Sequence, residues 1–187
     1  LYIAYKSPAA NDSRGPAINL LFSILTDGDS SRLHRLLVEE KKLAIDVEGS
    51  FQEGFDPGLS WLELTLPEGA KLPQVESELD AALAKVVAQG ITDAELARAK
   101  NIYASSFWKE LATIDGKARL LGQFDVFEGD YRKLFDSPAT YEKVTRDDVQ
   151  KAAALIFQTR HRTVGVLESP PEQAAVGPAA TATEAKP

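Results

Sequence analysis

The chain has 187 residues, 44% of them apolar and 26% charged, with a net charge of −7 and neither cysteine nor methionine. That length and balance suit one domain with its own core, and the lack of cysteine excludes a disulfide framework, a thiol nucleophile and a thiolate metal site while leaving the compartment open. The acidity, with no basic cluster longer than a pair, argues against nucleic acid or an anionic membrane as main partner, and no apolar run approaches the ~20 residues that span a bilayer.

Leu1 to Lys6 alternates as a half-buried strand does, and Ser7 to Pro16 is rich in turn formers. Because the chain opens on Leu1 inside this strand, it reads as a fragment of a longer protein, with any targeting signal upstream. Pro16 fits the first turn of a helix whose stripe is Ile18, Leu21, Phe22 and Leu25, and Asp27-Gly28-Asp29 stops it. The next helix, capped by Asp29 or Ser30, is expected to bury Leu33, Leu36 and Leu37 and to run to about Lys42. Ala44 to Phe51, with Ile45, Val47 and Phe51 on one face, and Leu59 to Leu66, with Leu62, Leu64 and Leu66 on one face, form a hairpin around Gly54, Asp56, Pro57 and Gly58.

Pro73 opens a helix with Val75, Leu79, Leu83, Val86 and Val87 inward, ended by Gly90. Thr92 with Glu95 makes a capping box, and Ile91 with Leu96 a hydrophobic staple, so a long helix starts at Asp93. Its stripe runs through Ile102, Tyr103, Phe107 and Leu111, then resumes after Asp115-Gly116 with Leu120, Leu121, Phe124 and Phe127 until Gly129. A shorter helix is expected to start near Ser137-Pro138. Thr145 and Asp148, with Val144 and Val149 as staple, start another through Ala152 and Ile156, and Thr163 to Leu167 reads as a closing strand. From Ser169 to Pro187 the Pro, Ala, Thr and Glu composition offers no periodic apolar face to offset the entropy of ordering, so this segment reads as a disordered tail. The element order predicts an α+β domain over residues 1–168, a mainly antiparallel sheet with helices on one face.

Within this order, SSRLHRLLVEEKKLAIDV, from Ser30 to Val47, resembles the helix and following strand in the second domain of pitrilysin/insulinase-type zinc peptidases, the inverted zincins. Their usual pattern is SSRL, three variable residues, L-R-E, three more and L-A-Y; Ser30, Ser31, Arg32, Leu33, Leu37, Glu39, Leu43 and Ala44 fit it. The resemblance covers nearly everything from Leu1 to about Glu168 and implies the same α+β fold. In relatives that complete the active site from this domain, the Arg and Tyr of those motifs bind the substrate carbonyl and the developing oxyanion. Val38 and Ile45 stand there in this chain, and neither donates a hydrogen bond to a growing charge. Seven residues apart, they are expected to face one cavity. Arg35, one turn before Val38, reads as a solvated helix residue.

The family's metal motif, H-x-x-E-H with a distal Glu, does not occur: His34 and His161 lie 127 residues apart and neither is followed by x-x-E-H, so no catalytic, cofactor or metal residue is assigned. His34 is expected on the exposed side of its helix. Ser30 and Ser31 beside His34 are the one close serine–histidine pairing, but a serine-rich helix start is a cap and no G-x-S-x-G elbow is present. The glycine spacing offers no phosphate loop. Asp27, Asp29, Glu39, Glu40, Asp147 and Asp148 read as turn, cap and solvated-face residues, and Tyr103, Phe107 and Trp108, at helical spacing, as core rather than a peptide cleft. Trp61 points away from Leu62 and Leu64, so a domain interface is expected to hide it.

The resemblance implies a domain without catalytic residues of its own that packs against a zinc-bearing upstream domain of the same chain and helps wall a peptide chamber. It further implies a homo- or heterodimeric partner peptidase subunit, a peptide substrate, and a periplasmic location. Two alternatives stay open: a domain of an inactive, core-type or substrate-capturing subunit of a processing-peptidase-like complex, and an unrelated α+β binding module.

Overall fold

The computed structural model describes residues 1–52 and 54–167. The expected tail, 169–187, and the boundary residue Glu168 lie outside the described residues.

Four strands, β1 (Tyr2–Ser7), β2 (Asp46–Phe51), β3 (Gly58–Thr65) and β4 (Arg162–Gly165), form one sheet in the order β2-β3-β1-β4, every pairing antiparallel. Alternation sends Ile3 and Tyr5, Val47 and Phe51, and Leu62 and Leu64 to one face, where all six are buried. The helices cover that face: α1 (Gly15–Thr26), α2 (Leu72–Gln89), α3 (Asp93–Leu111), α4 (Ile114–Glu128), α5 (Lys133–Glu142) and α6 (Arg146–Ile156). The fold is thus the α+β sandwich that the pattern predicts.

Helix α1 is the centre of the core. It lies against β2 on one side and α3 and α6 on the other, so Leu20 and Ile24 are buried along with the expected Ile18, Leu21, Phe22 and Leu25. Space at Gly49 is tight from both sides: a Cβ there would sit 2.6 Å from Leu62 Cδ2 and 3.0 Å from Trp61 O on the neighbouring strand, and 3.2 Å from Phe22 Cδ1 on α1. A smaller cluster of Phe107, Leu120 and Leu134 holds α3, α4 and α5 together.

Local cap chemistry starts two helices as expected. Both capping boxes form, Thr92 with Glu95 and Thr145 with Asp148, and Ile91, Leu96, Val144 and Val149 are buried beside them. Gly90 ends α2 with φ of 71°, the left-handed side that glycine tolerates.

Several boundaries differ from expectation. The helix after Ser31 is π-helical over His34–Glu40: Lys41 N–H donates to Leu36 O at 2.9 Å, a five-residue step. Lys42 then turns left-handed at φ 53°, so β2 starts at Asp46 instead of Ala44. Ile45, expected with Val47 and Phe51 on one face of the strand, precedes it and is 59% exposed. The long helix breaks at Ala112, because Thr113 Oγ1 accepts the Gly116 N–H at 2.9 Å and restarts the chain as α4. Helix α5 begins at Lys133 and carries Pro138 inside it. Strand β4 begins at Arg162 and ends at Gly165, short of Leu167, which is 95% exposed.

Candidate functional site

The Ser30 to Val47 segment is built as an anchor. Arg32 reaches α3, donating from Nε to Glu95 Oε1 at 2.8 Å and from Nη2 to Oε2 at 2.6 Å, while Nη1 donates to Gly90 O at 3.2 Å. The same Glu95 accepts the Thr92 N–H at 2.8 Å. Burial pushes the Glu95 carboxyl up, but the hydrogen bonds from Arg32 and Thr92 outweigh it and hold the group below its ordinary value. One carboxylate thus caps α3 and ties it to the motif. The capping box was legible in sequence; its 63-residue reach to Arg32 was not.

The structure sets Val38 and Ile45 in different surroundings. Val38 is half-buried against the main core, Ile45 is exposed, and neither lines any of the three principal surface pockets of the described residues. Arg35 is exposed, as read.

His34 departs from its expected exposure: it is half-buried, and its Nδ1 is buried without a partner among the described residues, as is the Oγ of fully buried Ser31. Ser30 Oγ accepts from Arg98 Nη1 at 3.2 Å. Among the described residues no group of three His, Asp or Glu side chains is placed to hold a metal ion. Phe107 is buried and Tyr103 half-buried, whereas Trp108, expected in the core, is 59% exposed and meets only the edge of Phe107, with ring centroids 5.1 Å apart. Tyr103 and Phe107 also line a groove of about 850 Å³ between the start of α1 and α3, α4 and α5.

The second feature is the uncovered face of the sheet. Register sets Glu48 opposite Glu63 and Glu63 opposite Tyr2; the next row is Ser50, Trp61, Ala4 and Thr163, with Leu59 and Lys6 beyond. Trp61 stacks on Tyr2 at 5.6 Å with an interplanar angle of 18°. Trp61 does point away from Leu62 and Leu64.

A four-stranded antiparallel sheet with helices on one face defines the class: a two-layer α+β domain. The chain belongs to the family described as the Peptidase M16 inactive domain, whose model matches residues 1–103. It is similar in structure to a protease from Helicobacter pylori, with 24% identity and a TM-score of 0.80, covering 86% of this chain and 38% of that one. A chain described as a zinc protease from Bordetella pertussis Tohama I is 28% identical with a TM-score of 0.78, covering 90% and 93%. The inactive peptidase domain described from Bordetella parapertussis is also 28% identical, with a TM-score of 0.79 and 88% of both chains covered. The chain therefore spans well under half of the Helicobacter protease and nearly all of the Bordetella chains. No curated protein matches it. Among the described residues no helix is long and apolar enough to cross a membrane.

Proposed function

We propose that this chain is the structural, non-catalytic second domain of a zinc-dependent metalloendopeptidase, residues 1–168, followed by a tail over 169–187. The observation that carries this reading is the pair Val38 and Ile45, which cannot supply the donors that relatives completing the active site supply from this domain. The domain packs against an upstream metal-bearing domain of the same chain, which holds the zinc, and its open sheet face walls the peptide chamber. A partner peptidase subunit, identical or related, contributes the Arg and Tyr. The compartment is the periplasm, in keeping with the shared fold of the periplasmic protease PqqL from Escherichia coli, 14% identical with a TM-score of 0.64.

A peptidase assay on the assembled enzyme tests the division of labour. Val38→Arg with Ile45→Tyr is expected to leave activity unchanged, whereas Ala at the partner's Arg and Tyr lowers the rate about 100-fold or more. Full activity after the partner's pair is removed overturns the reading. Deleting 169–187 is expected to leave the melting temperature nearly unchanged, and a drop of several degrees would contradict its reading as a tail.

A second reading, a domain of an inactive core-type subunit, draws on the fold shared with a chain of Complex III2 from Candida albicans, 16% identical with a TM-score of 0.70. An intact upstream H-x-x-E-H selects the first reading and a degenerate one the second.

A further inference from the structure

We propose that the open sheet face binds an extended peptide through a basic side chain, held by Glu48 and Glu63 against the aromatic surface of Tyr2 and Trp61. The inference rests on the chamber-wall reading for how substrate reaches this face, but the binding itself belongs to this chain.

Glu48 and Glu63 are directly opposite partners on antiparallel strands, which sets their Cβ atoms about 5 Å apart. Like charges in that position cost stability, and neither carboxylate takes part in an ion pair among the described residues. Asp46 adds a third acid to the same face, one row further along β2. The face's own cation does not answer them: Lys6 is four residues along β1 from Tyr2, about 13 Å at the rise of a strand. A guanidinium or ammonium between the two carboxylates removes their repulsion and gains two charge-assisted partners.

Beside Glu63 lies the stacked Tyr2–Trp61 pair, and Tyr2 is 42% exposed. Aromatic faces attract cations, arginine above all. The Tyr2 phenol is raised from its ordinary value by burial and by the charge of Glu63, which places that carboxylate within electrostatic reach of the ring. Leu59, 46% exposed, continues the apolar strip beyond Trp61. Side chains on one side of an extended peptide repeat about every 7 Å, as do the rows of the sheet beneath. Charge also selects the occupant: a second copy would bring the same three acids to the same face, and an acidic peptide would add to the repulsion.

Trp61 fluorescence reads the binding in the full chain once Trp108, exposed on α3, is replaced by Phe. The probes are short, terminally blocked peptides of alternating Ala and Arg, and the same peptides with citrulline or Glu in place of Arg. The arginine peptide is expected to give a saturable change that weakens with salt, and the glutamate peptide none. Glu48→Gln with Glu63→Gln is expected to weaken binding about tenfold or more. No saturable change, equal affinity for all three peptides, or a double variant within about twofold of the parent overturns the inference. Should the double variant fold poorly, the comparison of the three peptides on the parent decides alone. Arginine-peptide binding, alongside a longer enzyme whose cleavage is indifferent to this domain, would sink the chamber reading and leave the inference standing.

Discussion

At the residue scale, Arg32 ties the motif segment to α3. Its planar fork matches the Glu95 carboxylate bidentately, which a lysine cannot do, and both side chains are about three-quarters covered, at 22% and 25% exposure. Arg32→Ala is expected to lower the unfolding free energy by about 2 kcal/mol, and Arg32→Lys by part of that, measured by urea denaturation. Because the Glu95 carboxyl is held below its ordinary value in the folded chain, its contribution is full above the ordinary carboxylate range. It is lost as pH falls through the lowered folded value, so Glu95→Gln is expected to flatten the acid limb of a stability–pH profile. The alkaline limb has the opposite origin. Burial pushes the Tyr5 phenol up to about 12; its contribution is complete below the ordinary value of 10 and is lost as pH rises toward 12. Tyr5→Phe is expected to hold its melting temperature further into that range than the parent, and identical alkaline profiles would contradict the assignment. Separately, Ile45→Tyr is expected to change stability by less than about 0.5 kcal/mol, whereas Val38→Arg, which sets a charge against the core, costs about 2 kcal/mol.

At the element scale the corner between α3 and α4 is the most constrained turn. A Cβ at Gly116 would collide with the Glu110 carbonyl and lie 2.7 Å from Thr113 Oγ1. Gly116→Ala is therefore expected to cost about 2 kcal/mol or more, while Gly122→Ala, with nothing within 4 Å of the new methyl, is expected to stabilise α4 by about 0.5 kcal/mol. Thermal melts of the two variants separate these outcomes. The elements that were legible in sequence are those whose signals are local. Thr92 with Glu95 and Thr145 with Asp148 mark their helix starts outright, and the alternation of Leu62 and Leu64 fixes the buried face of β3. Where the local signal is weak, the boundary moved. Thr113 caps α4 without an acidic residue three positions later, and α5 starts after Arg132 with no side-chain cap at all. The π-helical turn over His34–Glu40 leaves no mark in a 3.6-residue period.

For the whole molecule, the uncovered sheet face could be read only as far as Trp61 pointing away from the core. The opposition of Glu48 and Glu63, and the neighbourhood of Tyr2, depend on strand order and register, which connect residues far apart in sequence. The same holds for Arg162, which ties β4 to α2 through Glu76 and Asp80 at 2.9 and 2.8 Å. The central claim is that this domain contributes surface and support while the metal and its chemistry lie elsewhere. The most direct measurement is the zinc content of the 187-residue chain, purified without chelator and assayed in parallel for peptide hydrolysis. The account predicts far less than one zinc per chain and hydrolysis at the level of the blank. One tightly bound zinc per chain, with peptide cleavage that a chelator abolishes, would contradict it.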